Sequence, residues 1–204
     1  MRALSTITVL LACPIQLLAE QKLFEGGISP DKTIGVYLVV EDRADIGIHD
    51  YPSIEIRRER DHKLIGNLSC DSYIQHFNHA YEDIKVAWAS DSRFFAFLCR
   101  GTKTSREVEV YCVATNSLLK LPDYPHAIVQ RIPGASQGRY FFAESISWRA
   151  HELSVRISGN THDSASNPED FPDDWYDCTV ILRVISPNKV LLRDVIIHKP
   201  PKAA

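Results

Sequence analysis

Glu107, Val108, Glu109, Val110, Tyr111, Cys112 and Val113 alternate along the chain, with Val108, Val110 and Cys112 on one side and Glu107, Glu109 and Tyr111 on the other. That two-residue period is what a β-strand requires when its two faces meet different surroundings. Upstream lie a short apolar segment at Val86-Ala87-Trp88, a turn at Ala89-Ser90-Asp91-Ser92 and an apolar run over residues 94–99. The polar stretch 100–106 separates that run from the alternating segment. Beyond it, Ala114-Thr115-Asn116-Ser117 has turn chemistry and residues 118–121 are again apolar. The pattern predicts strand, short turn, strand, longer loop, strand, short turn, strand.

The same order occurs about sixty residues to either side, and a fixed period of that size marks a repeat architecture. Upstream, Gly27-Ile28 leads through Ser29-Pro30-Asp31-Lys32 to an apolar run over 34–40, a loop over 41–52, alternation over 53–59 and a short segment over 64–68. Downstream, Ser147-Trp148 leads through Arg149-Ala150-His151-Glu152 to 153–158, a long loop over 159–177, a strand over 178–185 and a last strand over 190–196. The units span about 27–70, 84–121 and 140–197, and four-stranded meanders recurring in this way are how propeller blades are built.

Ile28-Ser29-Pro30-Asp31-Lys32, Trp88-Ala89-Ser90-Asp91-Ser92-Arg93 and Ser147-Trp148-Arg149-Ala150-His151 resemble the Ser-Pro-Asp-Gly turn of TolB-type and WD-repeat-like propeller blades. The stretch from Val108 to Asn116 is similar to their strand ending in Asp-x-x-Thr-Gly. The resemblance covers roughly residues 27–196 and implies an all-β fold of three blade-like, four-stranded antiparallel meanders. Lys32, Ser92 and Asn116 stand where glycine accepts positive φ, and His151 stands where the aspartate would be. Propellers close with 4–8 blades, so three units imply a propeller-like arrangement that is incomplete or closed by a homodimer. An antiparallel β-sandwich is the alternative reading.

Residues 1–19 have the layout of a signal peptide, with Arg2 ahead of an apolar segment over 7–12 and Leu17-Leu18-Ala19 before Glu20. This predicts an exported protein, periplasmic or secreted, with residues 20–204 as a single β-repeat domain. Leu10-Leu11-Ala12-Cys13 also resembles a lipobox, which would make Cys13 a lipid anchor. No transmembrane segment is expected, because no apolar stretch reaches the length a spanning helix needs. With 23 Lys+Arg against 26 Asp+Glu the net charge is −3, so no nucleic acid partner is expected. Export would leave Cys70, Cys99, Cys112 and Cys178, enough for two disulfides. Cys70–Cys99 is the first pairing to consider and Cys99–Cys178 the second, with buried thiols the alternative for Cys99 and Cys112.

Candidate chemistry lies between the units. Ile74, Phe77, Tyr81 and Ile84 recur at helical spacing, which predicts a short helix over 72–84. Its polar side carries His76, His79 and Asp83, donors a metal could use, but the favoured reading is the solvated face of an amphipathic helix. Gly134-Ala135-Ser136-Gln137-Gly138 matches a nucleophile elbow, but strand-like aromatics follow where that device needs a helix. The acidic loop holds Asp163, Glu169, Asp170, Asp173, Asp174 and Asp177, oxygen donors of the kind calcium takes.

In a meander the connections alternate between two ends, so the loops 41–52, 100–106 and 159–177 should emerge together. Loops of variable length on a rigid scaffold are where recognition sits. Arg100, Lys103 and Arg106 on the middle loop, with Asp173, Asp174, Trp175 and Tyr176 on the last, are therefore the expected binding residues. The function this supports is a non-catalytic interaction module, without a cofactor, whose partner is an envelope or extracellular protein or a second copy of the chain. The alternatives are a small secreted hydrolase or metal-dependent enzyme using Ser136 or the His76/His79 pair, and a calcium-stabilised structural module.

Overall fold

The computed structural model describes residues 20–43, 48–68, 84–102, 105–114, 117–120, 131–132, 134–135, 141–161, 174–187 and 189–201. The fold is all-β. Its strands are β1 (Glu20–Ile28), β2 (Ile34–Arg43), β3 (Ile48–Arg58), β4 (Leu64–Asn67), β5 (Lys85–Trp88), β6 (Phe94–Thr102), β7 (Ser105–Ala114), β8 (Ser117–Lys120), β9 (Phe141–Arg149), β10 (Glu152–Asn160), β11 (Trp175–Ser186) and β12 (Lys189–Lys199). Strands β1 to β4 form one antiparallel sheet in chain order, and β5 to β12 form a mixed eight-stranded sheet. Within the larger sheet β5-β6-β7-β8 and β9-β10-β11-β12 each pair antiparallel in succession. The two runs join through a short parallel contact, Ser105 with Phe141 and Arg106 with Phe142.

The first turns of the first two meanders are built alike. The Ser29 amide donates to the Ile34 carbonyl and the Lys32 amide to Ser29, as Ala89 does to Phe94 and Ser92 to Ala89. In each turn the aspartate caps a following amide: Asp31 Oδ1 accepts from Thr33 N–H at 3.0 Å, and Asp91 Oδ1 from Arg93 N–H at 3.0 Å. Lys32 and Ser92 both sit at φ 59°, the left-handed region that favours glycine. The third turn is shorter. β9 ends at Arg149 and β10 begins at Glu152, with Ala150 at φ 53°.

Alternation along β6 organises the core. Phe94, Ala96 and Leu98 enter one buried cluster with Leu153, Val155, Ile157, Val180 and Leu182. Phe95, Phe97 and Cys99 enter the other with Val36, Leu38, Ile54 and Ile56. The middle meander is therefore covered on both faces, which is why residues 94–99 read as an unbroken apolar run. The outer meanders bury one face each. Full burial of a side chain such as Phe95 contributes about 2–3 kcal/mol of transfer free energy.

The three meanders are tied at matching positions. Trp88 Nε1–H donates to the Gly27 carbonyl at 3.1 Å, and Trp148 Nε1–H to the Ala87 carbonyl at 2.9 Å. The Asp31 amide donates to Ser92 Oγ at 3.0 Å, and His151 Nδ1 lies 3.6 Å from Asp91 Oδ2. These contacts hold the first turns side by side, so the connections between second and third strands emerge from the opposite end.

Several sequence expectations change here. The loops 41–52 and 100–106 are largely strand, because β2 runs to Arg43, β3 starts at Ile48, β6 reaches Thr102 and β7 starts at Ser105. Backbone pairing such as Glu41 with Tyr51 and Arg100 with Arg106 continues past the apolar stretches, since it needs no apolar side chain. Cys112 and Cys178 are free thiols, so the Cys99–Cys178 disulfide does not form; Cys178 lies in the cluster of Phe94 and Leu153, and Cys99 in the cluster of Phe95 and Val36. Cys70 and the expected helix, apart from its last position, Ile84, lie outside the described residues, as do Cys13 and residues 1–19.

Candidate functional site

The end that carries the short turns holds a cleft of about 760 Å³. Four cationic side chains line it: Lys32 from the β1–β2 turn, Arg58 and Arg60 from the β3–β4 turn, and Arg93 ahead of β6. Ile34, Ile65, Cys112, Val113, Ala114 and Pro187 supply its apolar wall, and Thr33 completes the lining. All three meanders thus contribute. Among the described residues no carboxylate lines it.

The turns explain this charge separation. Asp31 points back into its own turn, where Ser29 Oγ–H and Thr33 Oγ1–H donate to it at 2.7 and 2.8 Å. Burial tends to raise its pKa, but the hydrogen bonds from Ser29, Thr33 and Ser92 outweigh that and hold the carboxyl below its usual range. Asp91 is engaged with the Arg93 amide and His151. Glu59 accepts from Tyr37 Oη–H at 2.6 Å, and burial together with that bond pushes the Tyr37 phenol up to about 12. Asp61 pairs with Arg58 at 3.2 Å and lies 3.7 Å from Arg60, both exposed contacts of small energetic weight. Arg93 lies over the Phe94 ring at 5.7 Å, which leaves its planar fork available at the edges.

Nucleophilic chemistry has little support in this cleft. The Thr33 hydroxyl is committed to Asp31. Burial pushes the Cys112 thiol up, and Asp91 adds to that while Arg93 opposes it, so the thiolate is disfavoured. What remains is a set of cationic side chains beside an apolar wall, chemistry suited to an anion.

The residues expected at the opposite end are only partly brought together. Arg100 lies in β6 and Arg106 in β7, directly paired in register, and Arg106 Nη1 is 4.0 Å from Glu144 Oε2 across to β9. The Asp174 carbonyl accepts from the Thr161 amide at 2.9 Å and from its hydroxyl at 3.2 Å, which closes the base of that connection. Trp175 and Tyr176 are corrected from exposed recognition surface to core. They are 7% and 2% exposed, with Trp175 stacked near Phe142 at 6.4 Å between ring centres. Adjacent acidic residues made them read as loop, whereas strand pairing of Asn160 with Trp175 and Gly159 with Tyr176 draws them inward. Lys103, Asp173, Ser136, His76, His79 and Asp83 lie outside the described residues. Among the described residues no group of three or more His, Cys, Asp or Glu could hold a metal ion, and no helix is long and apolar enough to cross a membrane.

Sequence reasoning missed the cleft because its cations come from turns remote in the chain. The available signal was the basic run Arg57-Arg58-Glu59-Arg60 at a turn, with Lys32 and Arg93 one position apart in the matching turns of two repeats.

No protein-family model matches the chain, and no curated protein does. Among solved structures it is similar to an acylaminoacyl peptidase from Pyrococcus horikoshii, at 14% identity and a TM-score of 0.45. That match covers 83% of this chain, which spans 24% of the peptidase chain.

Proposed function

We propose that this chain is an exported, non-catalytic binding module, built from three blade-like units of the TolB and WD-repeat kind, that captures an anionic partner at its short-turn end. The observation that carries the reading is the cleft itself: four cations from three turns, with Asp31 and Asp91 turned away into their own loops. Each meander supplies hairpin turns at this end, and the shared core fixes their spacing before a ligand arrives. The turns are in place before a ligand arrives, and binding has only to order the long side chains they carry.

The chain is acidic overall, with a net charge of −3. Retention on an immobilised polyanion at neutral pH and low salt therefore requires a local basic site. The wild-type chain should be retained on heparin resin and released by moderate salt. Arg58→Glu with Arg93→Glu should abolish retention, and Lys22→Glu on exposed β1 should not. Unchanged retention of the double variant would overturn the assignment.

A further inference from the structure

Resting on that reading, we infer that the ligand is an organic phosphate carrying at least two phosphate groups, not a chain of carboxylates. Three of the four cations are guanidinium groups, whose planar forks match the oxygens of a phosphate two at a time. They stand on two separate segments, with Lys32 on a third, so one single-charged group would leave most of the site unmatched. The volume of about 760 Å³ is that of a small-molecule site rather than of a groove for an extended chain. The wall offers Ile34 and Val113, an apolar surface that a bare ion cannot use but an organic body can.

The ion pair of Arg58 with Asp61 does not block this role. It is an exposed contact at 3.2 Å, of the kind that contributes little, and Asp61 is not among the described lining residues. The shared chemistry, vicinal or linked phosphates on an organic body, has two sources: a soluble nucleotide and a phosphorylated lipid headgroup.

The test uses the full chain and follows calorimetric binding and thermal stability with four probes: inorganic pyrophosphate, ADP, oligoglutamate, and vesicles with and without phosphatylinositol bisphosphate. Pyrophosphate and ADP should both bind and raise the melting temperature. ADP should bind more tightly, because its organic part meets the wall. Oligoglutamate should bind about tenfold more weakly or worse, as expected when charge-assisted hydrogen bonds are lost. Arg58→Gln with Arg93→Gln should lower ADP affinity at least tenfold while the circular dichroism spectrum stays unchanged. Sedimentation only with the phosphorylated vesicles would assign the lipid source, and ADP binding without sedimentation the soluble one; both support the inference. Tight binding of oligoglutamate without binding of ADP, pyrophosphate or phosphorylated vesicles would overturn the phosphate assignment and leave the anion site standing. Failure of every anionic probe would remove both.

Discussion

Trp148 donates its indole N–H to the backbone carbonyl of Ala87 at 2.9 Å, sixty-one residues back along the chain. Trp88 stands in the same relation to Gly27, at the same separation. Trp88 ends β5 and Trp148 is the penultimate residue of β9, and in each case the acceptor lies one residue short of the equivalent position in the meander before. One side chain per junction therefore locks register between meanders with a bond that a slip of one residue would break. The same bonds keep the first turns adjacent, which is what gathers Lys32 and Arg93 around one cleft.

Replacing Trp148 by Phe keeps an aromatic ring and removes the donor. We expect a loss of about 1 kcal/mol in urea unfolding, the usual net value of such a bond. Trp148→Ala should cost more, about 3–5 kcal/mol, because packing goes as well. No loss in Trp148→Phe would show that the hydrogen bond contributes nothing.

Gly26 tests the approach of β1 to β5. It sits at φ 69°, inside an irregularity in the β1–β2 pairing, and an added Cβ would lie 2.5 Å from the Val86 carbonyl oxygen. Both the backbone conformation and the contact resist a side chain. Gly26→Ala should destabilise the protein by more than about 2 kcal/mol. Gly66→Ala, whose Cβ would meet the Leu118 Cβ at 3.0 Å, should cost clearly less. A melting temperature for Gly26→Ala within a degree or two of wild type would contradict the geometry.

Acid should weaken the outer face of the third meander. Arg156 donates to Asp177 from Nη2 at 2.7 Å and from Nε at 3.2 Å. That hydrogen bonding holds the Asp177 carboxyl below its usual range; burial opposes it, and the charges of Arg156 and His198 reinforce it. A folded-state pKa below the unfolded value contributes stability above about pH 4 and loses it as pH falls through the folded pKa. The pair is partly exposed, so the effect is small. Asp177→Asn should lower stability at pH 7, and the gap to wild type should close near pH 3. A gap that persists at pH 3 would mean that Asp177 acts through something other than its charge.

How far the chain was readable follows from the range of each interaction. Alternation over 107–113 and the apolar run 94–99 are local signals, and they mark β7 and the two-faced β6. Lys32 and Ser92, which stand where the resembled blade turns carry glycine, nevertheless adopt positive φ, and that was not legible from their residue types. The strand ends at Arg43 and Thr102 were not legible either, because backbone pairing there runs beneath polar side chains. Trp175 and Tyr176 follow an acidic stretch that resembles solvated loop, and only their cross-strand partners on β10 bury them. The cleft was out of reach for the same reason: Lys32, Arg58 and Arg93 become neighbours only after meanders remote in sequence have stacked.

The stack has two outward faces, and their chemistry bears on whether a second copy completes a ring. On the first meander Tyr37 bonds Glu59, and Arg57 is paired with Glu55. On the third, Arg156 pairs with Asp177, Ser158 Oγ–H donates to Glu144 at 2.8 Å, Arg183 and Arg193 both reach Glu152, and Thr179 bonds His198 at 2.8 Å. Ring closure would bury these groups, and the desolvation of several ion pairs is costly unless the partner replaces every lost contact with water. Apolar residues on the same face, such as Ile185 and Leu191, are interspersed with Arg183 and Arg193 and form no continuous stripe. The expected outcome is a monomer by light scattering across a wide range of protein concentration. Arg156→Leu with Asp177→Leu, which replaces one of these ion pairs by apolar surface, should then shift the mass upward. A stable dimer of the wild-type chain, dissociated by Arg156→Glu, would show that these pairs are contacts between copies and that the stack is closed from outside.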